Sequence, residues 1–229
     1  MKRLKLASSL LLCIAVTALA ASAQVAEKAN KGYQTKEDRE RVGRSLGNAD
    51  RVERQKPVAL LASIGIHKGD VVGDIGTGVG FMLPYLADAV GPEGKVYAED
   101  IQKDFLAKAK KKVKEGGWKN VKFVRGKQKN VKLPANSLDL AFILDVYHHF
   151  NYPETTLATI HKAVKPGGRL AMIYFYRGGK DANRSDEWYK NHIRLDRDGF
   201  RAEIESAGFE FERTFDHLPH QYVLIFRKK

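Results

Sequence analysis

Cysteine is almost missing from this chain: Cys13 is the only one in 229 residues. It lies inside an apolar run and follows Leu12, where a lipoprotein would need a small residue, so lipid attachment there is excluded. Acids are also scarce, with 27 Asp and Glu against 40 Lys and Arg and a formal net charge of +13. No twin-arginine pair precedes the apolar run, so export in the folded state has no support. Internal repeats and low-complexity tracts are absent too, which excludes a solenoid or an array.

The N-terminus has a recognisable pattern. Lys2, Arg3 and Lys5 form a basic stretch, Leu10 to Ala21 is uncharged and apolar, and Ala21-Ser22-Ala23 has the small-x-small form of a cleavage site. This predicts a signal peptide over residues 1–23 and an exported protein, periplasmic or extracellular. The alternative is an uncleaved anchor, because the uncharged stretch from Leu6 approaches a bilayer's thickness; the core run is too short for that role. Cleavage after Ala23 removes the only thiol. A thiol-free chain suits an oxidising compartment, and any other equally. It also removes three cations and no acid, so the chain stays basic at +10.

Much of that excess lies between Lys108 and Lys132, where Lys110, Lys111, Lys112, Lys114, Lys119, Lys122, Arg125, Lys127 and Lys129 face only Glu115. Such a face can meet a nucleic acid or an anionic membrane surface. No aromatic stacking platform interleaves with the lysines, so a solvated face is the plainer reading and nucleic acid is not an expected partner.

The length suits one α/β domain with a polar extension. Residues 24–48 are charge-dense without apolar periodicity, reading as a linker or a loosely held helix. Val52, Val58, Leu60, Leu61 and Ile64 predict a helix, interrupted near Pro57, that ends at Gly65 and opens the domain over residues 49–229. Strands are predicted at 71–75, 96–100, 121–124, 138–144 and 170–176, with helices at 81–90, 101–114 and 153–164 between them. This alternation implies a doubly wound, mostly parallel sheet. A helix near 199–207 precedes strands at 209–215 and 222–226, and the short link between these two forces them antiparallel.

The first strand ends in Asp74-Ile75-Gly76-Thr77-Gly78-Val79-Gly80 and runs into a helix. Glycines there let a ligand approach main-chain amides at the carboxyl ends of the strands. A dinucleotide fold wants a glycine at position 81, and this chain has Phe81. The second strand ends in Glu99-Asp100, and a carboxylate at that tip suits a ribose diol. A nucleoside-containing cofactor is implied.

These motifs, with Leu133-Pro134-Ala135-Asn136-Ser137-Leu138-Asp139 and Lys165-Pro166-Gly167-Gly168-Arg169-Leu170, resemble the class I S-adenosylmethionine-dependent methyltransferases from about Ala49 to the C-terminus. The resemblance implies a Rossmann-like, seven-stranded α/β fold, S-adenosyl-L-methionine as cofactor and a small-molecule acceptor. It implies that Gly76, Thr77, Gly78 and Gly80 wrap the cofactor, that Asp74 orients the turn, that Asp100 holds the ribose and that Ile101 packs on the adenine. Asp145, ending the fourth strand, joins this set. The family's acid after the third strand is missing, since Gly126 is followed by Lys127 and Gln128; Gln128 is the available substitute.

Tyr147, His148 and His149 follow the fourth strand beside the expected methyl donor and are the catalytic candidates; a packing role is an even alternative for His149. His192, in the polar segment after the fifth strand, reads as an exposed loop histidine that can also close over a substrate. With the only cysteine removed and His148 and His149 adjacent rather than three or four residues apart, no metal site is expected. The absence of an Asn-Pro-Pro-Tyr type motif after the fourth strand favours acceptors other than the amino groups which that motif serves. Two other classes stay open: an exported, non-catalytic nucleoside-binding protein, and an envelope or nucleic-acid-binding protein that uses the lysine-rich face.

Overall fold

The computed structural model describes residues 26–177 and 184–229; the signal peptide predicted over residues 1–23 lies outside them. The chain builds α1 (Lys36–Leu46), α2 (Arg51–Gln55), α3 (Pro57–Ile64), β1 (Val71–Ile75), α4 (Leu83–Val90), β2 (Lys95–Asp100), α5 (Lys103–Gly116) and β3 (Val121–Arg125). It continues through β4 (Leu138–Leu144), α6 (Pro153–Ala163), β5 (Val164–Phe175), α7 (Asp186–His192), α8 (Arg197–Ser206), β6 (Phe209–Phe215) and β7 (Gln221–Lys228).

The seven strands form one sheet in the order β3-β2-β1-β4-β5-β7-β6. The first five are mutually parallel, and β7 runs antiparallel to both β5 and β6. This is the Rossmann-like α/β architecture expected from the sequence. Its chain order reverses between β1 and β4, the position where open parallel sheets bind ligands beyond their carboxyl ends.

Alternation along the strands sorts side chains onto two faces. In β4, Leu138, Ala141 and Ile143 join Leu157, Ile160 and Phe200 on one side, while Leu140, Phe142 and Leu144 meet Leu60, Leu86 and Val113 on the other. Both faces of β4 are covered, which is why its sequence is almost wholly apolar.

The entry helix is broken as Pro57 required: Lys56 takes a left-handed conformation between α2 and α3, and Gly65 caps α3. Val52 and Val58, read as part of its apolar side, are exposed; Leu60, Leu61 and Ile64 are the residues buried. The fifth strand begins at Val164, earlier than Leu170, because Val164 already pairs with Leu138; an irregularity there lets the ladder resume at Arg169 opposite Leu140. The segment after β5 holds α7, which the sequence reading left as polar chain. Ser185 caps it by accepting a hydrogen bond from the Trp188 amide (3.1 Å), and Tyr189 anchors it in the core.

Of the two readings for residues 24–48, the described part is helical. Thr35 caps α1 by accepting from the Asp38 amide (3.1 Å), and α1 docks through Val42, Gly43 and Leu46. A Cβ on Gly43 would lie 3.4 Å from Val79. The lysine-rich stretch covers the outside of α5 and the edge strand β3, where charge discourages pairing with another chain's strand.

Candidate active site

At the tip of β1 the chain turns sharply, with Gly76 at φ +70°. A Cβ there would lie 2.5 Å from Val146 at the tip of β4, so side chains are barred by both conformation and space. The two acids of β2 hold this turn from beneath. Asp100 accepts from the Gly78 amide (2.8 Å) and the Gln102 amide (2.7 Å). Glu99 accepts from the Gly76 amide (3.3 Å), and the Asp74 carboxylate accepts from the Thr77 hydroxyl (2.6 Å). Gly80 takes another place than the one implied by resemblance: it is off the cavity wall, and a Cβ on it would meet Leu83 and Ala109 at 3.0 Å. Its smallness serves the packing of the turn against α5.

The turn borders a cavity of about 740 Å³, inside the range of small-molecule sites. Asp74, Gly76, Thr77, Gly78, Asp100, Ile101, Gln128 and Asp145 all line it. Ile101 is 39% exposed, an apolar face offered to a planar ring beside the Asp100 carboxylate. Gln128 stands on the β3 side, with its backbone carbonyl accepting from Thr156 (2.9 Å).

Burial dominates the electrostatics here. It pushes Asp74 up to about 7 and Asp100 up to about 6, and holds Glu99 well above the usual carboxylate range. Asp145, at φ +58°, is raised to about 6 by burial, opposed by the Arg51 charge. Its carboxylate accepts from Gln221 (2.5 Å) and Gln55 (3.2 Å). A non-glycine residue in that conformation persists because the surroundings hold it there, and two carboxamides from distant elements do so.

The three catalytic candidates separate. Tyr147 does not line the large cavity; its ring packs against Phe150, Tyr174 and Phe200 on the core side, which removes it from the reacting region. His149 lines the cavity with both ring nitrogens engaged: Nδ1 lies 2.9 Å from Asn30 Oδ1 and Nε2 lies 3.3 Å from the Tyr33 hydroxyl. Burial lowers it to about 3, so it ties the N-terminal segment to the β4 tip as a neutral strut. His148 faces the cavity, is held neutral by burial, and its Nδ1 has no hydrogen-bond partner among the described residues. His192 joins it, ring centroid to ring centroid 6.4 Å, and is stacked on Trp188.

Sequence reasoning missed Asn30, Tyr33, Arg51, Gln55, Arg184, Trp188 and Gln221. Arg51 lies over the Phe81 ring (4.3 Å) and faces the charges of Asp145 and Asp74. None of these residues carries a spacing signal, because they reach the site from several elements far apart in the chain.

Residues 73–172 match the family described as methyltransferase domain. The chain is 34% identical over 110 residues to a demethylmenaquinone methyltransferase of Geobacillus sp., covering 47% of this chain and 46% of that protein. It is 27% identical over 172 residues to the ubiquinone/menaquinone biosynthesis C-methyltransferase UbiE of Escherichia fergusonii, covering 64% of this chain and 68% of that one. The chain spans about half the length of the Geobacillus relatives it matches. A solved S-adenosylmethionine-dependent methyltransferase from Aquifex aeolicus superposes with a TM-score of 0.75 at 28% identity, over 82% of this chain and 97% of that one.

The fold is shared with the S-adenosylmethionine-dependent methyltransferase from Aquifex aeolicus, and the matched segment is that of a methyltransferase domain. S-adenosylmethionine is the cofactor named for that Aquifex protein. The residues present fit such a molecule: a turn too tight for side chains at Gly76, a buried carboxylate at Asp100 that would accept from ribose hydroxyls, and an exposed apolar side chain at Ile101 that would meet an adenine ring.

Proposed function

We propose that the protein transfers a methyl group from S-adenosylmethionine to a small organic acceptor by in-line displacement. One observation carries this reading. A single cavity has the glycine turn and Asp100 on its β1–β2 side and His148, His192, Phe175 and Trp188 on its β4–β5 side, so donor and acceptor can share it.

Bound, the cofactor supplies a methyl group already activated by a positive sulfur, leaving alignment and exclusion of water to the protein. Asp74, Asp100 and Asp145 surround the cavity with negative charge as they ionise, which suits a cationic ligand. Asn30, Tyr33, Leu46 and Arg51 of the N-terminal segment line the cavity, where with a ligand bound they would help to exclude water. With Tyr147 outside the cavity and His149 committed as a strut, His148 and His192 are the groups available to receive a proton from an acceptor.

The names of the relatives supply the first acceptor to assay, demethylmenaquinone. The test is methyl transfer from labelled S-adenosylmethionine by protein beginning at Gln24, with calorimetric titration of the cofactor alongside. Labelled product supports the proposal. Cofactor binding without turnover over a broad acceptor panel favours the non-catalytic nucleoside-binding reading, and no cofactor binding refutes both. We also propose that residues 1–23 direct export and are cleaved after Ala23. A secreted chain that begins at Gln24 supports this; a chain retaining Met1 counts against it.

A further inference from the structure

The acceptor side of the cavity contains a cation that the methyl-transfer reading leaves unused. Arg184 lines the wall just ahead of α7. Its guanidinium lies 4.8 Å from the Phe175 ring centroid and 4.1 Å from that of Trp188. Trp188 is in turn stacked on His192 at 4.2 Å with 15° between the rings. Arg54, also on the wall, pairs with Asp50 (3.5 Å); Arg184 has no carboxylate partner among the described residues, and its Nη1 is buried there without a hydrogen bond. The charge of Arg184 nevertheless reaches Asp145, His148 and His192, so it faces the same space as they do.

A buried guanidinium nitrogen without an acceptor is unfavourable, and its forked donors match a carboxylate or another anionic oxygen. The flat indole beside it offers a stacking face. We propose that Arg184 and Trp188 form an acceptor subsite that takes a planar aromatic ring carrying an anionic oxygen. The inference rests on the methyl-transfer reading and deepens it by giving the acceptor a shape and a charge. An acceptor that arrives as an anion becomes neutral on gaining the methyl group, so no proton has to leave it in that step. This agrees with a site whose innermost histidines are held neutral and whose His149 has both nitrogens engaged.

The two tryptophans are Trp118 and Trp188, so a Trp118→Phe parent leaves Trp188 as the reporting fluorophore. Naphthoate and its neutral counterpart naphthylmethanol are titrated with S-adenosylhomocysteine saturating. The expected result is quenching by naphthoate with affinity about tenfold or more above that of the alcohol, and loss of that preference in Arg184→Met. Arg184→Lys should restore part of it. Equal affinity for the two ligands in the parent, or a preference that survives Arg184→Met, overturns the proposal. A variant that loses S-adenosylhomocysteine affinity by about tenfold assigns Arg184 to the cofactor's own carboxylate and overturns it as well. Failure of the parent to bind S-adenosylhomocysteine is a different result, which refutes the methyl-transfer reading itself.

Discussion

Replacing Asp100 tests the cofactor site at its most specific contact. The carboxylate already accepts from the Gly78 and Gln102 amides, and its remaining lone pairs border the cavity at the tip of β2. A hydrogen bond to a charged acceptor contributes about 1.5–3 kcal/mol, so loss of the ribose contact in Asp100→Ala should weaken binding by about tenfold to 150-fold. Asp100→Asn should lose nearly as much, because in either orientation its amide nitrogen turns a donor towards one of the two backbone amides that donate to the carboxylate. The assay is calorimetric titration with S-adenosylhomocysteine and with its analogue lacking both ribose hydroxyls. The parent should distinguish the two ligands, and Asp100→Ala should bind them alike, since contact and partner are then both gone. Thermal melting separates this from unfolding, because the substitution also leaves the two amides unpaired. If Asp100→Ala still distinguishes the ligands as the parent does, the carboxylate does not hold the ribose and the site has been read wrongly.

Further predictions concern pH, strain and the cover of the cavity. Folded-state values of about 7 for Asp74 and about 6 for Asp100 and Asp145 exceed the unfolded value, so these acids give stability at low pH that is lost as pH rises through about 4 to 7. The depressed His148 and His149 oppose this, giving stability present above about 6.5 and lost as pH falls. A cationic ligand favours the ionised acids, so the thermal shift produced by S-adenosylmethionine should grow from about pH 5.5 to about pH 7.5; a constant shift refutes the field argument. Gly76→Ala should lose about 2 kcal/mol or more in urea unfolding, and adding Val146→Ala should recover only part of it, since the positive φ remains strained. A Gly76→Ala chain as stable as its parent would contradict the packing at the β1 tip. Asn30→Ala should release the N-terminal segment from His149, seen as about tenfold faster proteolysis within residues 26–48 and quicker cofactor release; unchanged proteolysis removes the strut role.

Most strands were legible because this sheet writes its pattern in consecutive residues. β1 and β4 have the predicted limits, since a strand covered on both faces is mostly apolar and is bounded by turn residues. The glycine turn and the acid after β2 were legible for a similar reason, being local devices of backbone conformation and strand-end chemistry. α7 was not, because its burial rests on Tyr189 alone against a polar background. Nor was the docking of α1, which uses a glycine, two aliphatic side chains and the Arg39–Asp104 ion pair (2.7 Å) instead of an apolar stripe.

Sequence by itself determined the fold class, the cofactor class and the place of the turn, all properties of short segments with fixed spacing. Only the tertiary structure decided which candidates share a space. It turned Tyr147 into the core while His148 kept the cavity, and it set Gly80 behind the wall. It also brought Gln55 and Gln221 onto Asp145, and Asn30 and Tyr33 onto His149, across separations of 76 to 119 residues. The physical reason is that side-chain direction at a strand tip depends on the packing of the elements around it, and contacts between distant segments leave no periodicity in the chain.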